Sequence, residues 1–146
     1  MQFSTTIIAL AAAMGASAGT STVFKVSNFA ASGIPHSSEV SYSFTVIQPG
    51  TMETTGVNCS KLLPSNGALP AVTDGTCKDS SRTWTVEKSG DDLILTVSQP
   101  ASPSSTQDAS YTIPASDLEY KTADASSYQA YTGPTSFDLT ESSYSA

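Results

Sequence analysis

Hydrophobic and polar residues alternate most regularly between residues 39 and 47. Every second position there is apolar or aromatic, and the positions between are Glu, Ser or Thr; the apolar set is Val40, Tyr42, Phe44 and Val46. Successive side chains of a strand point to opposite faces, so this alternation predicts a β-strand with one buried face.

Similar patterns predict further strands, separated by turn-forming residues. Residues 22–29 are expected to pair with 39–47 as a hairpin with a long loop, broken at Ser32-Gly33-Ile34-Pro35. Residues 83–88 and 93–98 flank Ser89-Gly90-Asp91-Asp92, where glycine can adopt the positive φ of a tight turn, and predict a second hairpin. Shorter strands are predicted at 51–60, 109–113 and 135–140.

Three segments carry weaker patterns. Residues 62–75 and 100–108 are rich in Pro, Gly, Asn and Ser and predict loops. Residues 115–132 fit neither period, and their tyrosines, Tyr120, Tyr128 and Tyr131, are the expected anchors to the core. No apolar period of 3.6 residues extends beyond two turns outside the first 18 residues. The fold class predicted is all-β, a single small antiparallel β-barrel or β-sandwich of about seven to eight strands.

The N-terminus predicts export. An apolar stretch, Ile7–Met14, precedes Ala16-Ser17-Ala18, the small-residue pattern of a signal-peptidase site. Residues 1–18 are therefore predicted to be a cleaved signal peptide, 19–140 the folded domain and 141–146 a flexible tail. The apolar stretch is far shorter than the roughly 20 residues of a membrane-spanning helix, so a secreted, extracellular protein without membrane insertion is expected.

Charge and cysteine content limit the classes of partner and cofactor that are expected. The chain has thirteen carboxylates and six basic residues, and the basic residues are scattered singly along it. Because phosphate binding needs clustered cations, nucleic acid is not an expected partner. The two cysteines, Cys59 and Cys77, predict a disulfide in an exported chain, worth about 3 kcal/mol in the chain-entropy model. With His36 as the single histidine, neither a metal site nor a cofactor is predicted.

Few residues suggest catalysis. Gly15-Ala16-Ser17-Ala18-Gly19 matches a hydrolase nucleophile motif but straddles the cleavage site. His36 is the only possible imidazole base and is interpreted as a surface residue. The adjacent Asp91 and Asp92 could bind Ca²⁺ or divide acid and base roles, but they are interpreted as solvated turn residues. A glycosidase requires a pair of carboxylates, which thirteen carboxylates always permit, so this requirement carries little weight. The protein is accordingly predicted not to be an enzyme.

Two further residues are candidate surface sites. Trp84 could form a flat platform for a sugar or a planar ligand, but its alternation with Val86 is more typical of core. Asn58-Cys59-Ser60 fits the glycosylation acceptor pattern, with the expected disulfide cysteine at its centre limiting access.

Taken together, two segments carry a family resemblance. Val23-Phe24-Lys25-Val26-Ser27-Asn28-Phe29, followed by Val40-Ser41-Tyr42-Ser43-Phe44-Thr45-Val46, resembles the opening of the Alternaria-major-allergen-type (AA1-like) family of fungal secreted β-barrel proteins. Cys59 and Cys77 match one of that family's internal disulfides. Ser110-Tyr111-Thr112-Ile113-Pro114 and Ser136-Phe137-Asp138-Leu139-Thr140-Glu141 are similar to two of its later strands.

The resemblance is greatest to the hypersensitive-response-inducing elicitors of plant-pathogenic fungi. It implies a β-barrel without catalytic residues that a plant host surface protein or receptor recognises, triggering defence. The chain lacks the family's second internal disulfide and its dimer-forming cysteine, so a monomer is expected. An extracellular module that binds a cell-wall glycan or a small apolar ligand is the alternative.

Overall fold

The computed structural model describes residues 22–102, 105–123 and 126–141. They form ten strands, with a single 3₁₀ turn, Ala115–Asp117, before the eighth. The strands are β1 Thr22–Gly33, β2 Glu39–Ile47, β3 Val57–Pro64, β4 Val72–Cys77, β5 Thr83–Ser89, β6 Asp92–Ser102, β7 Ser105–Ile113, β8 Leu118–Ala123, β9 Ser126–Tyr131 and β10 Phe137–Glu141.

Eight of these strands close into an antiparallel barrel. Strands β1 to β7 follow one another around it, and β10 completes the ring by pairing with both β7 and β1. Phe137 of β10 lies opposite Val26 of β1, and Thr140 lies opposite Ser110 of β7. The all-β prediction is confirmed, and of the two architectures left open the barrel is the observed one.

Strands β8 and β9 form a hairpin outside the ring. It is attached to β1 where Ser32 lies opposite Ala130. The backbone N–H of Gln129 donates to the carbonyl of Gly67 at 2.7 Å, and that of Phe29 donates to the carbonyl of Thr135 at 3.0 Å. Because Gly67 belongs to the loop between β3 and β4, the hairpin packs against that loop.

Side chains fill the barrel interior. An eight-stranded barrel is just wide enough inside for its own side chains. Trp84 occupies the centre with 1% of its surface exposed, and its ring meets those of Tyr42 and Phe44 edge-on, with centroids 5.8 and 5.1 Å away. Its Nε1 donates to the carbonyl of Thr76 at 3.0 Å. A Cβ on Gly75 would clash with this ring, so any larger residue there would force the ring or the backbone to shift.

The two ends of the barrel differ. The lower end carries residues 48–56 and 78–82, and the upper end carries residues 34–38, 65–71 and 90–91 with the β8–β9 hairpin. At the lower end Arg82 is buried, with 6% of its side chain exposed, and forms a bidentate ion pair with Glu53 at 2.6 and 2.9 Å. Its Nε also donates to Gln99, and its guanidinium lies 5.3 Å from the centre of the Phe24 ring.

The strand predictions hold best where alternation is strict. Strand β2 has the predicted bounds, and the hairpin at residues 83–98 forms with Gly90 at φ 63°. The disulfide between Cys59 and Cys77 is confirmed, joining directly opposed residues of β3 and β4.

Several boundaries were predicted wrongly. Strand β1 continues through the expected breaker to Gly33, and β3 begins at Val57 rather than at residue 51. Strand β4 lies partly in the predicted loop 62–75. The predicted loop 100–108 is largely strand. Pro100 pairs with Thr106 next to a register shift, and such an irregularity tolerates proline, which has no N–H to donate to the ladder.

The remaining predictions concern the C-terminal third and the ends. Residues 115–132 form the 3₁₀ turn and the β8–β9 hairpin, and Tyr120, an expected core anchor, is 64% exposed. Glu141, expected in the tail, pairs with Ala109 as the last residue of β10. The predicted signal peptide, its Gly15–Gly19 motif and residues 142–146 lie outside the described residues. In the ranges that are described, no helix is long and apolar enough to span a membrane.

Candidate functional site

The residues singled out from the sequence do not gather at one place. Asn58 is exposed on the outer face of β3, where its Oδ1 accepts a hydrogen bond from the Thr45 hydroxyl at 2.9 Å. Trp84 lies in the core and presents no face to an external ligand. Within residues 22–102, 105–123 and 126–141, no three His, Cys, Asp or Glu side chains form a group that could hold a metal ion.

His36 and the aspartates both lie at the upper end, but in different depressions. His36 has a positive φ of 63° in the β1–β2 loop and is exposed. It lines a cavity of about 400 Å³ between that loop and the β9 residues Ser126–Tyr128. Gly33 forms its base, where a Cβ would come within 2.7 Å of Tyr128 Cβ. Five of the residues that line it are serines, Ser37, Ser38, Ser65, Ser126 and Ser127, but most of the lining surface is apolar.

Asp91 and Asp92 border a second depression, which we call the Tyr120 groove. It measures about 340 Å³ and lies between the β5–β6 turn and the β8–β9 hairpin. This volume falls at the small end of the range typical of small-molecule sites. The residues used to define it are Leu69, Lys88, Asp91, Asp92, Tyr120 and Gln129.

The wall of the Tyr120 groove on the hairpin side is held rigidly. Tyr120 and Gln129 lie directly opposite each other in the β8–β9 ladder. Gln129 Oε1 accepts a hydrogen bond from the backbone N–H of Leu69 at 2.8 Å. This bond fixes the orientation of the amide, so that its NH₂ group remains as a donor of defined position.

The opposite wall carries charge on a tight turn. Asp92 Oδ1 accepts a hydrogen bond from the backbone N–H of Ala115 at 2.8 Å, which ties the 3₁₀ turn to the start of β6. Lys88 and Asp91 form no side-chain hydrogen bond or ion pair with any described residue and are exposed. The two aspartates thus have different roles, one structural and one free to meet a ligand.

Two buried leucines lie beneath the groove. Leu69 and Leu93 are both buried and close the upper end of the barrel core beneath it. The groove therefore combines one exposed aromatic ring with a polar rim of both charges, above two leucines that present almost no surface to it. An arrangement of this kind can bind a small amphiphilic molecule by stacking and hydrogen bonds together.

Sequence reasoning missed Tyr120 and Gln129 as site residues. Tyr120 is one of the three tyrosines predicted to anchor residues 115–132 to the core, and its 64% exposure shows that this prediction is wrong. The available signal was the alternation of Leu118, Tyr120 and Thr122 with the charged Glu119 and Lys121, which indicates a short strand with Tyr120 on one face.

Comparison of the chain with protein-family models, with curated proteins and with solved structures found no match. The resemblance to the allergen-type family therefore stays a prediction from the sequence.

Proposed function

We propose that the protein is a secreted, non-enzymatic fungal effector or elicitor that plant tissue recognises, inducing a hypersensitive-type defence response. The observation that carries the proposal is the filled barrel. With Trp84 and its neighbours occupying the interior, a partner meets the outer surface and the loops rather than an internal site. The predicted signal peptide and the family resemblance support the same assignment.

Infiltration of the purified secreted protein into leaves tests this proposal. The expected result is cell death, an oxidative burst or defence-gene induction at micromolar dose. The matched control is the Cys59→Ala/Cys77→Ala variant unfolded by mild heating, since recognition of a folded surface requires the barrel. A leaf that shows none of these responses to the folded protein would remove the elicitor proposal.

A second candidate function is an extracellular binding module for a cell-wall glycan. The observation that favours it is the exposed Tyr120 ring bordering a groove with polar side chains. Co-sedimentation with insoluble chitin, β-glucan and cellulose tests it, and a protein that stays in the supernatant with all three contradicts it.

Catalysis is not part of either proposal. The prediction that the protein is not an enzyme stays a prediction, and assays with chromogenic glycosides and esters test it. A turnover that disappears in the Asp91→Asn variant would overturn it.

A further inference from the structure

We propose that the Tyr120 groove is a binding site for a neutral oligosaccharide, with Tyr120 as the stacking platform. The inference rests on the second candidate function and assigns residues to it. It follows from two features of the groove: an exposed aromatic ring and a rim of unpaired or half-paired polar groups.

A sugar ring has the chemistry that such a groove fits. Its two faces carry C–H groups and are apolar, whereas its edge carries hydroxyls that both donate and accept hydrogen bonds. Tyr120 is 64% exposed, so one ring face is open to stack on an apolar sugar face without first breaking core contacts. Leu69 and Leu93 are buried beneath the groove, with 1% and 3% of their surface exposed, so the apolar contact with the sugar is left to Tyr120.

The rim supplies hydrogen-bonding groups of both kinds. Gln129 offers its NH₂ group, because its Oε1 is already committed to Leu69. Asp91 offers a carboxylate and Lys88 an ammonium, neither of which has a side-chain partner among the described residues. Asp92 keeps one carboxylate oxygen, because only its Oδ1 accepts from Ala115. Donors and acceptors on one rim match hydroxyls, which act as both.

Charge restricts the class of saccharide. The rim holds two carboxylates and one ammonium, and the whole chain has a formal net charge of −7. An anionic polymer such as polygalacturonate would be repelled by this surface. A neutral glucan or chitin fragment carries no such penalty, and a volume of about 340 Å³ suits one or two sugar units rather than a long chain.

The site is also preorganised. Tyr120 lies on β8, Gln129 on β9, and Lys88 on β5, all in hydrogen-bonded ladders, and Asp91 lies in the two-residue turn between β5 and β6. The backbone positions are therefore fixed before a ligand binds, and the Gln129 side chain is held as well by its hydrogen bond to Leu69, so these parts of the site need not be ordered on binding.

Calorimetric titration of the purified secreted protein tests the inference. The probes are cellohexaose, laminarihexaose and the chitin hexamer, with an oligogalacturonate as the anionic probe. We expect at least one neutral probe to bind, and Tyr120→Ala to weaken that binding about tenfold or more, the loss that corresponds to removing a stacked ring. Asp91→Asn is expected to weaken it severalfold.

Met52→Ala is the matched control, because Met52 is 95% exposed and lies at the lower end of the barrel. It should leave affinity unchanged, and fluorescence of the buried Trp84 shows whether each variant is folded. The inference is overturned if none of the neutral probes binds, if only the oligogalacturonate binds, or if a folded Tyr120→Ala variant binds as the parent does. Leaf responses are scored separately, so that loss of sugar binding with a retained response rejects this site and leaves the elicitor proposal standing.

Discussion

Removing the guanidinium of Arg82 should destabilise the protein strongly. Arg82→Met keeps much of the side-chain volume but leaves Glu53, whose side chain is only 19% exposed, without its bidentate partner. The carbonyl of Val46 and the Gln99 amide each lose a donor as well. Breaking a buried ion pair by removing one partner costs about 3–5 kcal/mol. Because Glu53 keeps a hydrogen bond from the backbone N–H of Gln48 at 3.1 Å, we expect the lower limit, about 3 kcal/mol.

Urea denaturation followed by circular dichroism measures this change. A destabilisation of about 3 kcal/mol corresponds to a fall in Tm of about 10 °C for a domain of this size. Lys25→Met is the matched control, because the pair of Lys25 with Asp138 spans 3.1 Å but is 54% and 47% exposed. Such a surface pair contributes at most about 1 kcal/mol.

A double variant separates the charge from the packing. Replacing both partners, in Arg82→Met/Glu53→Leu, removes the uncompensated carboxylate and should recover most of the lost stability. The reasoning is refuted if Arg82→Met costs no more than Lys25→Met. It is also refuted if the double variant is as unstable as the single one, since the loss would then come from packing alone.

Three further predictions follow from local contacts. The hydrogen bond from Arg82 lowers the pKa of Glu53, so the stability that ionised Glu53 contributes is present above the ordinary glutamate pKa and is lost as the pH falls through the lower pKa of the folded state. The difference in unfolding free energy between the parent and Glu53→Gln should therefore shrink from neutral to acid pH. A difference that stays constant in urea denaturation across this range would contradict the prediction. Gly75→Ala should destabilise the folded protein by about 1–3 kcal/mol, because the new Cβ would clash with the Trp84 ring. Thermal melts measure this change, and an unchanged Tm would show that the ring can shift without cost. Burial, with Tyr111 and Asp117 nearby, raises the pKa of Tyr131 to about 12. In alkaline absorbance titrations, the Tyr131→Phe variant should therefore lack one late-titrating tyrosine that the parent has. If the variant instead lacks a tyrosine that titrates near pH 10, the prediction is wrong.

The predictable parts of the fold are those in which local pattern and tertiary burial agree. Strand β2 alternates along its whole length because every second residue enters a filled interior. The β5–β6 hairpin adds a glycine that can take a positive φ between two apolar strands. Two cysteines in a chain expected to be secreted left only one pairing, which the structure contains.

The unpredicted parts depend on contacts distant in sequence. Strand β4 alternates poorly, and Gly75 occupies an inward position only because Trp84 of the next strand fills that space. Arg82 looked like any single surface cation, and its burial depends on Glu53, 29 residues earlier. The Tyr120 groove arises where the β8–β9 hairpin meets the β5–β6 turn, a juxtaposition that no local pattern encodes.

The filled barrel leaves its outer surface and loops for contact with a partner. Trp84 is the only tryptophan and lies at the centre of that interior, so its fluorescence reports on this point alone. We predict blue-shifted emission and almost no quenching by acrylamide in the native protein, with both lost in urea. Emission at the wavelength of free tryptophan, quenched as readily as the free amino acid under native conditions, would contradict the account.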